Sequence, residues 1–318
     1  MPSVTIQIPA RKSKKRNLWR EIAKDYKRNK YLILMALPVL TWYFIFHYLP
    51  MYGVIIAFKD FNPMRGILGS EWIGFAHFKS FFNGFYAWRV IKNTLMISVY
   101  QLVFGFPMPI ILALLLNELQ NKAFKKTIQT ITYLPHFVSL VVICGMIVDF
   151  TSKNGIINDA IELLGMERRS LLLYPEYFRT IYTGSGIWQS VGWGSIIYLA
   201  ALSGIDQELY SAASIDGAGR WKQFLNVTLP GIAPTVIVLL ILNIGRMMNE
   251  GFEKIILLYN ATIYETADTI SSFVYRRGLV EANYSFSSAV GLFNSMVNVI
   301  LIVSANRISR MVNETSLW

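Results

Sequence analysis

Charge is scarce in this chain: of its 318 residues only 15% are Asp, Glu, Lys or Arg, whereas 54% are hydrophobic. An ordinary soluble domain of this length cannot bury so much apolar surface, so a polytopic membrane protein is expected. There is one cysteine, Cys144, inside an apolar stretch; an intrachain disulfide is excluded and nothing points to redox chemistry. The three histidines, His47, His77 and His136, lack metal-ligand spacing and are expected to be interfacial or packed. The phosphate-loop pattern G-x-x-x-x-G-K-[ST] is missing, as are H-E-x-x-H and G-x-S-x-G. Without them, no ATP hydrolysis, intramembrane enzyme chemistry, catalytic residue, metal or bound cofactor is assigned to the chain.

What charge there is lies at one end. The net charge is +11, and ten Lys and Arg precede Tyr31, opposed only by Glu21 and Asp25. A basic cluster beside an apolar span retains an N-terminus in the cytosol and attracts anionic lipid, so membrane lipid rather than nucleic acid is the expected partner of this 1–30 arm. Leu18, Trp19 and Ile22 suit one side of an interfacial helix. The first apolar run, through Pro38, Trp42, Tyr43 and Phe44, has no small-residue cleavage site and is expected to stay as a helix.

Six stretches are long enough to cross a bilayer, which takes about 20 residues: roughly Tyr31–Phe58, Val90–Asn117, Ile131–Phe150, Ile181–Ser203, Gly231–Leu258 and Phe286–Ala305. The expected fold is an all-α membrane protein of six transmembrane helices, with 31–318 as the membrane domain and both termini cytosolic. That orientation places 17 Lys and Arg on the cytosolic side and 10 in the external loops. The segment 206–230, between the fourth and fifth spans, is then cytosolic. The loops 59–89 and 151–180 are external, long enough to form small helices that receive a partner.

Within 206–230, Asp206 is a helix cap, Ala212, Ala213 and Ser214 keep one helix face thin, and Gly217 and Gly219 suit left-handed or tight turns. Trp221, Phe224 and Val227 form the apolar side of a second short helix, and Pro230 and Pro234 suit the first turns of the next span. Composition alone fits an ordinary linker equally well. The register of Ser211–Pro230, SAASIDGAGRWKQFLNVTLP, decides between them: it resembles the docking pattern E-A-A, three residues, G, nine residues, I-x-L-P of the membrane subunits of binding-protein-dependent ABC importers. The pattern falls on Ala212, Ala213, Gly217, Val227, Leu229 and Pro230, with Ser211 replacing the Glu. The resemblance implies a cytosolic coupling helix that seats in an ATPase, with contacts from Glu208, Ser211, Ala212, Ala213, Asp216, Gly217, Ala218, Leu229 and Pro230; Glu208, one turn earlier, stands in for the missing Glu.

The stretches WYFIFHYLPMYGVIIAFKDFNP, GFEKIILLYNATIYETADTISSFVYRRGL and NYSFSSAVGLFNSMVNVILIVSANRISR, with Ser316-Leu317-Trp318, resemble the LplB/YteP-like carbohydrate permeases. This likeness, from about Tyr31 onward, implies a type I ABC importer subunit in a bacterial cell membrane. It also implies a second homologous permease, two cytosolic ABC ATPase subunits that hold ATP and Mg, and an extracellular lipid-anchored solute-binding protein. The implied cargo is complex plant or algal oligosaccharide, pectin-derived chains included.

Polar residues inside a span are costly and tend to face a cavity or another helix. Asn243, Arg246, Glu250 and Glu253 recur at steps of three and four, which on one helix keeps them within about 80° of each other, with Asn249 alongside. Ser287, Gly291, Asn294 and Asn298 make a comparable stripe on the sixth span. Trp188, Gln189 and Trp193 add aromatic faces and an amide, which stack on sugar rings and take hydroxyls. An Arg246–Glu250 ion pair and asparagines that only connect helices are the structural alternative. An ion-coupled secondary transporter of a polar solute is the competing class, although no paired discontinuous helices are visible in the sequence.

Overall fold

The computed structural model describes residues 28–249, 251–313 and 316–317. Most of the basic arm, including Leu18, Trp19 and Ile22, lies outside the described residues, as do Glu250 and Trp318. The chain divides into two compact units, Met1–Val54 and Ile55–Trp318.

In the first unit, α1 (Lys30–Tyr43) carries Pro38 and runs into a π-helical turn, Phe44–Tyr48. Its large apolar side chains are exposed, Leu34 and Leu40 among them, as a helix facing lipid requires. The π turn has a local cause: Pro50 cannot donate to a carbonyl four residues back and its ring crowds that position. Just before it, Leu49 N–H reaches Phe44 instead. The same device recurs twice in the second unit, where Gln101–Gly105 precedes Pro107 and Phe224–Thr228 precedes Pro230.

The second unit opens with a two-stranded antiparallel ribbon, β1 (Lys59–Asp60) with β2 (Glu71–Trp72), and the short helix α2 (Ala76–Phe82). Then come α3 (Ala87–Tyr100), continued through the π turn into α4 (Pro107–Glu118), and the amphipathic α5 (Lys122–Tyr133), capped by Asn121. α6 (Leu140–Thr151) and α7 (Ile156–Leu163) lead to the 29-residue α8 (Pro175–Ser203). The third stretch, expected as one span over 131–150, is interrupted: Pro135 sits in a 3-10 turn and Ser139 caps α6 anew.

After α8 come α9 (Gln207–Ile215), α10 (Arg220–Gln223) and α11 (Leu229–Ile244). Trp221, Phe224 and Val227 do not form a separate helix; residues 220–244 run on as one continuous helix. The fifth stretch is broken: α11 ends before Gly245 and α12 (Phe252–Leu258) starts after Gly251. α13 (Ile270–Tyr275) and the 30-residue α14 (Tyr284–Asn313) complete the unit.

Among the described residues five helices are long and apolar enough to cross a membrane: Lys30–Phe58, Ala87–Glu118, Leu140–Leu163, Arg220–Ile244 and Tyr284–Met311. α8, the expected fourth span, is long enough but not among them; its many small and polar residues lower its hydropathy. Phe178, Tyr182, Ser195, Tyr198 and Leu202 are buried along its length, and a packed helix can carry small and polar residues that a lipid-facing one cannot. It joins two of the three apolar cores. One gathers Ile97, Ile143, Ile147, Phe178, Ile255 and Leu258; another gathers Ala113, Tyr198, Leu202, Ile205 and Ile232.

Candidate functional site

The segment 206–230 is a braced turn. Asp206 Oδ1 accepts the Glu208 N–H at 2.9 Å and starts α9, and Gly217, at φ +77, turns the chain out of it. A residue with a Cβ costs about 1–2 kcal/mol in that left-handed region. Gly219 does not share this role as expected; it stands at φ −67 ahead of α10, a conformation open to any residue. Gln223 Nε2 donates to Ser214 Oγ at 3.0 Å and to the Ala218 carbonyl at 2.9 Å, closing the turn. The Tyr210 hydroxyl lies 2.9 Å from Thr228 Oγ1, and Tyr210 and Val227 pack on the Tyr198–Ile232 core.

Glu208, Ser211, Ala212, Asp216, Gly217, Leu229 and Pro230 are exposed, and Ala213 and Ala218 half-buried. Ser211 Oγ turns back onto the Gln207 carbonyl at 3.2 Å, so the exposed carboxylate of α9's first turn belongs to Glu208. Ile215 is 87% exposed and Trp221 70%, two large apolar side chains at the tip of a short rigid element. Such an element can pass force from a partner that grips it into α11.

The break after α11 organises the second site. Its exposed backbone groups are met by side chains: Ser98 Oγ donates to the Met247 carbonyl, Asn294 Nδ2 to the Met248 carbonyl at 3.2 Å, and Met248 N–H to Asn298 Oδ1 at 3.2 Å. A broken helix is tolerated at membrane depth when neighbours satisfy it in this way. Gly251 holds the break: its φ is +69, and a Cβ there would lie 1.4 Å from Tyr182 Oη. Beyond it Lys254 is buried, its Nζ donating to the Tyr182 carbonyl at 3.0 Å.

The break cancels the single-helix geometry expected for Asn243, Arg246, Glu250 and Glu253, because glycines at 245 and 251 interrupt the 100° progression. Arg246 and Glu253 are exposed. Asn243 returns its amide to Leu239 at 2.8 Å and lines a cavity of about 250 Å³ with Trp193 and Gln101. Trp193 stacks on His136, ring centroids 4.6 Å apart. Trp188 borders a separate apolar pocket, and Gln189 is half-buried.

The sixth-span stripe holds together. Ser287, Gly291 and Asn294, with Asn249, Phe252 and Tyr275, line a cavity of about 620 Å³ between α12, α13 and α14. Asn294 Nδ2 is 2.5 Å from Asn249 Oδ1. Asn294 Oδ1 and Ser287 Oγ are buried and have no hydrogen-bond partner among the described residues. Buried polar atoms of this kind are rare without a water, an ion or a ligand to satisfy them, and the rim of amides, hydroxyls and aromatic rings suits a polyhydroxylated ligand. Asn298 does not reach this cavity and, like Asn294, braces the break.

Ser98, whose hydroxyl holds Met247, escaped the sequence analysis. Gly245 and Gly251 around MMNE were the available signal for the break; nothing in the sequence marked Ser98 as the residue that meets it.

The profile of the family described as "Binding-protein-dependent transport system inner membrane component" matches residues 105–314. The chain belongs to that family. The match covers both sites, from the last residue of the second π turn through α14. This permease is 46% identical to protein LplB of Bacillus subtilis (strain 168), over 92% of each chain. It is 42% identical to the polygalacturonan/rhamnogalacturonan transport system permease protein YteP of the same organism, over its whole length and 98% of that protein. It also matches a chain in the crystal structure of a bacterial alginate ABC transporter in complex with an alginate pentasaccharide-bound periplasmic protein, with TM-score 0.86 and 44% identity over 92% of this chain and 99% of that one.

Proposed function

We propose that this permease is one of two membrane subunits of an ATP-driven importer that carries complex, uronic-acid-containing oligosaccharides across a bacterial cell membrane. One observation carries this: 42% identity along the entire chain to a permease named for polygalacturonan and rhamnogalacturonan transport. α8 serves as the sixth crossing and both termini are cytosolic. The 206–230 segment is the coupling element, seated in one of two ATPase subunits that hold ATP and Mg, since the chain has no phosphate loop of its own. The second permease completes the pathway, and an extracellular lipid-anchored binding protein delivers the sugar. Asn249, Ser287 and Asn294 contact it from the wall of their cavity. Closure of the ATPase dimer would draw the coupling segments together and open that cavity outward. An ion-coupled secondary transporter, the competing class, is not favoured by any relative.

Purification of the tagged chain from native membranes in mild detergent, followed by mass spectrometry, tests the assembly. A co-purifying phosphate-loop ATPase and a second permease are expected. A chain that comes through alone, under extraction that keeps known complexes whole, would overturn it.

A further inference from the structure

A second cavity of about 620 Å³ lies between the N-terminal ends of α3 and α8 and the segment before α13. Its walls carry Arg89, Lys92 and Arg179 against the single carboxylate of Glu265, with Phe85 and Trp88 at the same site. The other acid nearby, Asp268, is fully buried and already committed: Arg276 holds it at 2.7 Å, Ser272 at 2.8 Å and Arg89 at 3.4 Å. Arg179 gives one N–H to Asn93 Oδ1 at 2.9 Å, and Asn93 in turn ties down the Glu265 and Asp268 carbonyls. These contacts fix both guanidinium groups and leave charge over. Arg89 Nε and Arg179 Nε are buried donors with no acceptor among the described residues, and Lys92 is exposed and makes no ion pair among them.

Two arginines and a lysine lining one recess against a single carboxylate call for an anion, and a planar carboxylate is the group that a guanidinium fork matches best. Trp88 is 75% exposed and Phe85 87%, rings that offer an apolar face to a pyranose. The volume is that of a small-molecule site, far more than one acidic side chain of a docked protein would fill. On the expected topology all three segments are at the outer end of the bundle, away from the Asn249–Asn294 cavity. We infer that this recess is a separate entry site for uronic-acid units of the oligosaccharide, holding a sugar carboxylate on Arg89, Arg179 and Lys92 with its ring against Trp88. It rests on the importer function proposed above.

The test uses the assembled transporter with its ATPase and binding protein, reading substrate-stimulated ATP hydrolysis with trigalacturonate and with its methyl ester, a chain of the same length without charge. The wild type should half-saturate at lower acid than ester. Lys92→Gln and Arg179→Gln should each raise the acid-to-ester ratio of half-saturating concentrations about tenfold, the scale of one lost charge-assisted hydrogen bond, with Arg179→Lys intermediate. If Arg179→Gln fails to assemble, Lys92→Gln, exposed and outside the ion pairs, carries the test. A ratio unmoved in variants that both probes still stimulate overturns the site. An equal rise for both probes also overturns it, marking the recess as a contact for a partner's acidic side chain. If neither probe nor any neutral oligosaccharide stimulates the wild type, the oligosaccharide function itself has failed and this site with it. That result differs from the other two, in which wild-type stimulation is intact.

Discussion

Asn294 and Asn298 lie four residues apart on α14 and both brace the break after α11, but only Asn294 also lines the cavity. Asn298 accepts the Met248 N–H, so Asn298→Leu would strand a buried donor at a cost of about 1–3 kcal/mol. The expected outcome is a lower melting temperature for the purified complex. Asn294 lines the cavity and keeps a buried oxygen without a partner among the described residues, and Asn294→Ala should raise the half-saturating oligosaccharide concentration about tenfold; an unchanged value would remove it from the pathway. The spacing of the stripe was legible in the sequence, because side-chain direction follows helical period. The division of labour was not, because it depends on where the facing helix breaks. In the 206–230 turn, Gly217 stands at φ +77, which proline, fixed near −65°, cannot adopt. Gly217→Pro is expected to leave the chain in the membrane and abolish transport, and normal uptake would remove the coupling role. Gly217→Ala should be milder, at about 1–2 kcal/mol of local strain.

At the scale of elements, the three π turns before Pro50, Pro107 and Pro230 share one cause. A proline two residues beyond the turn removes an N–H and crowds a carbonyl, and the ladder relaxes by one residue. The third of these turns joins α10 to α11, in the segment proposed to couple to the ATPase. Pro230→Ala removes the cause. If the turn then anneals to α-helix, everything before it rotates by about 100° relative to α11, and the Tyr210–Thr228 contact is lost. The expected result is oligosaccharide binding retained with substrate-stimulated ATP hydrolysis sharply reduced; stimulation equal to wild type would show that the turn does not set the coupling geometry. The prolines were legible, and so was the helix cap at Asp206. The interruption at 134–139 was not read, since apolar residues surround Pro135, and that at 245–251 was not read although Gly245 and Gly251 marked it, because the polar residues between them also fit one face of a continuous helix.

For the whole molecule, apolar length alone marks five crossings among the described residues, and the proposed sixth is α8, whose glycines, serines and tyrosines dilute its hydropathy. The opposite faces of the membrane assigned to loops 151–180 and 204–230 depend on that one helix. The lone cysteine makes this directly testable. Cys144 is buried, so in a Cys144→Ala background a cysteine placed at exposed Lys153 or at exposed Ser211 is the sole thiol of the chain. A membrane-impermeant maleimide added to intact cells stripped of their wall should label Lys153→Cys and spare Ser211→Cys, and inside-out vesicles should reverse the pattern. Labelling of both from one side would mean that α8 does not cross. The 206–230 segment would then share a face with the loop 151–180, and the two could not engage a cytosolic ATPase and an external binding protein as proposed.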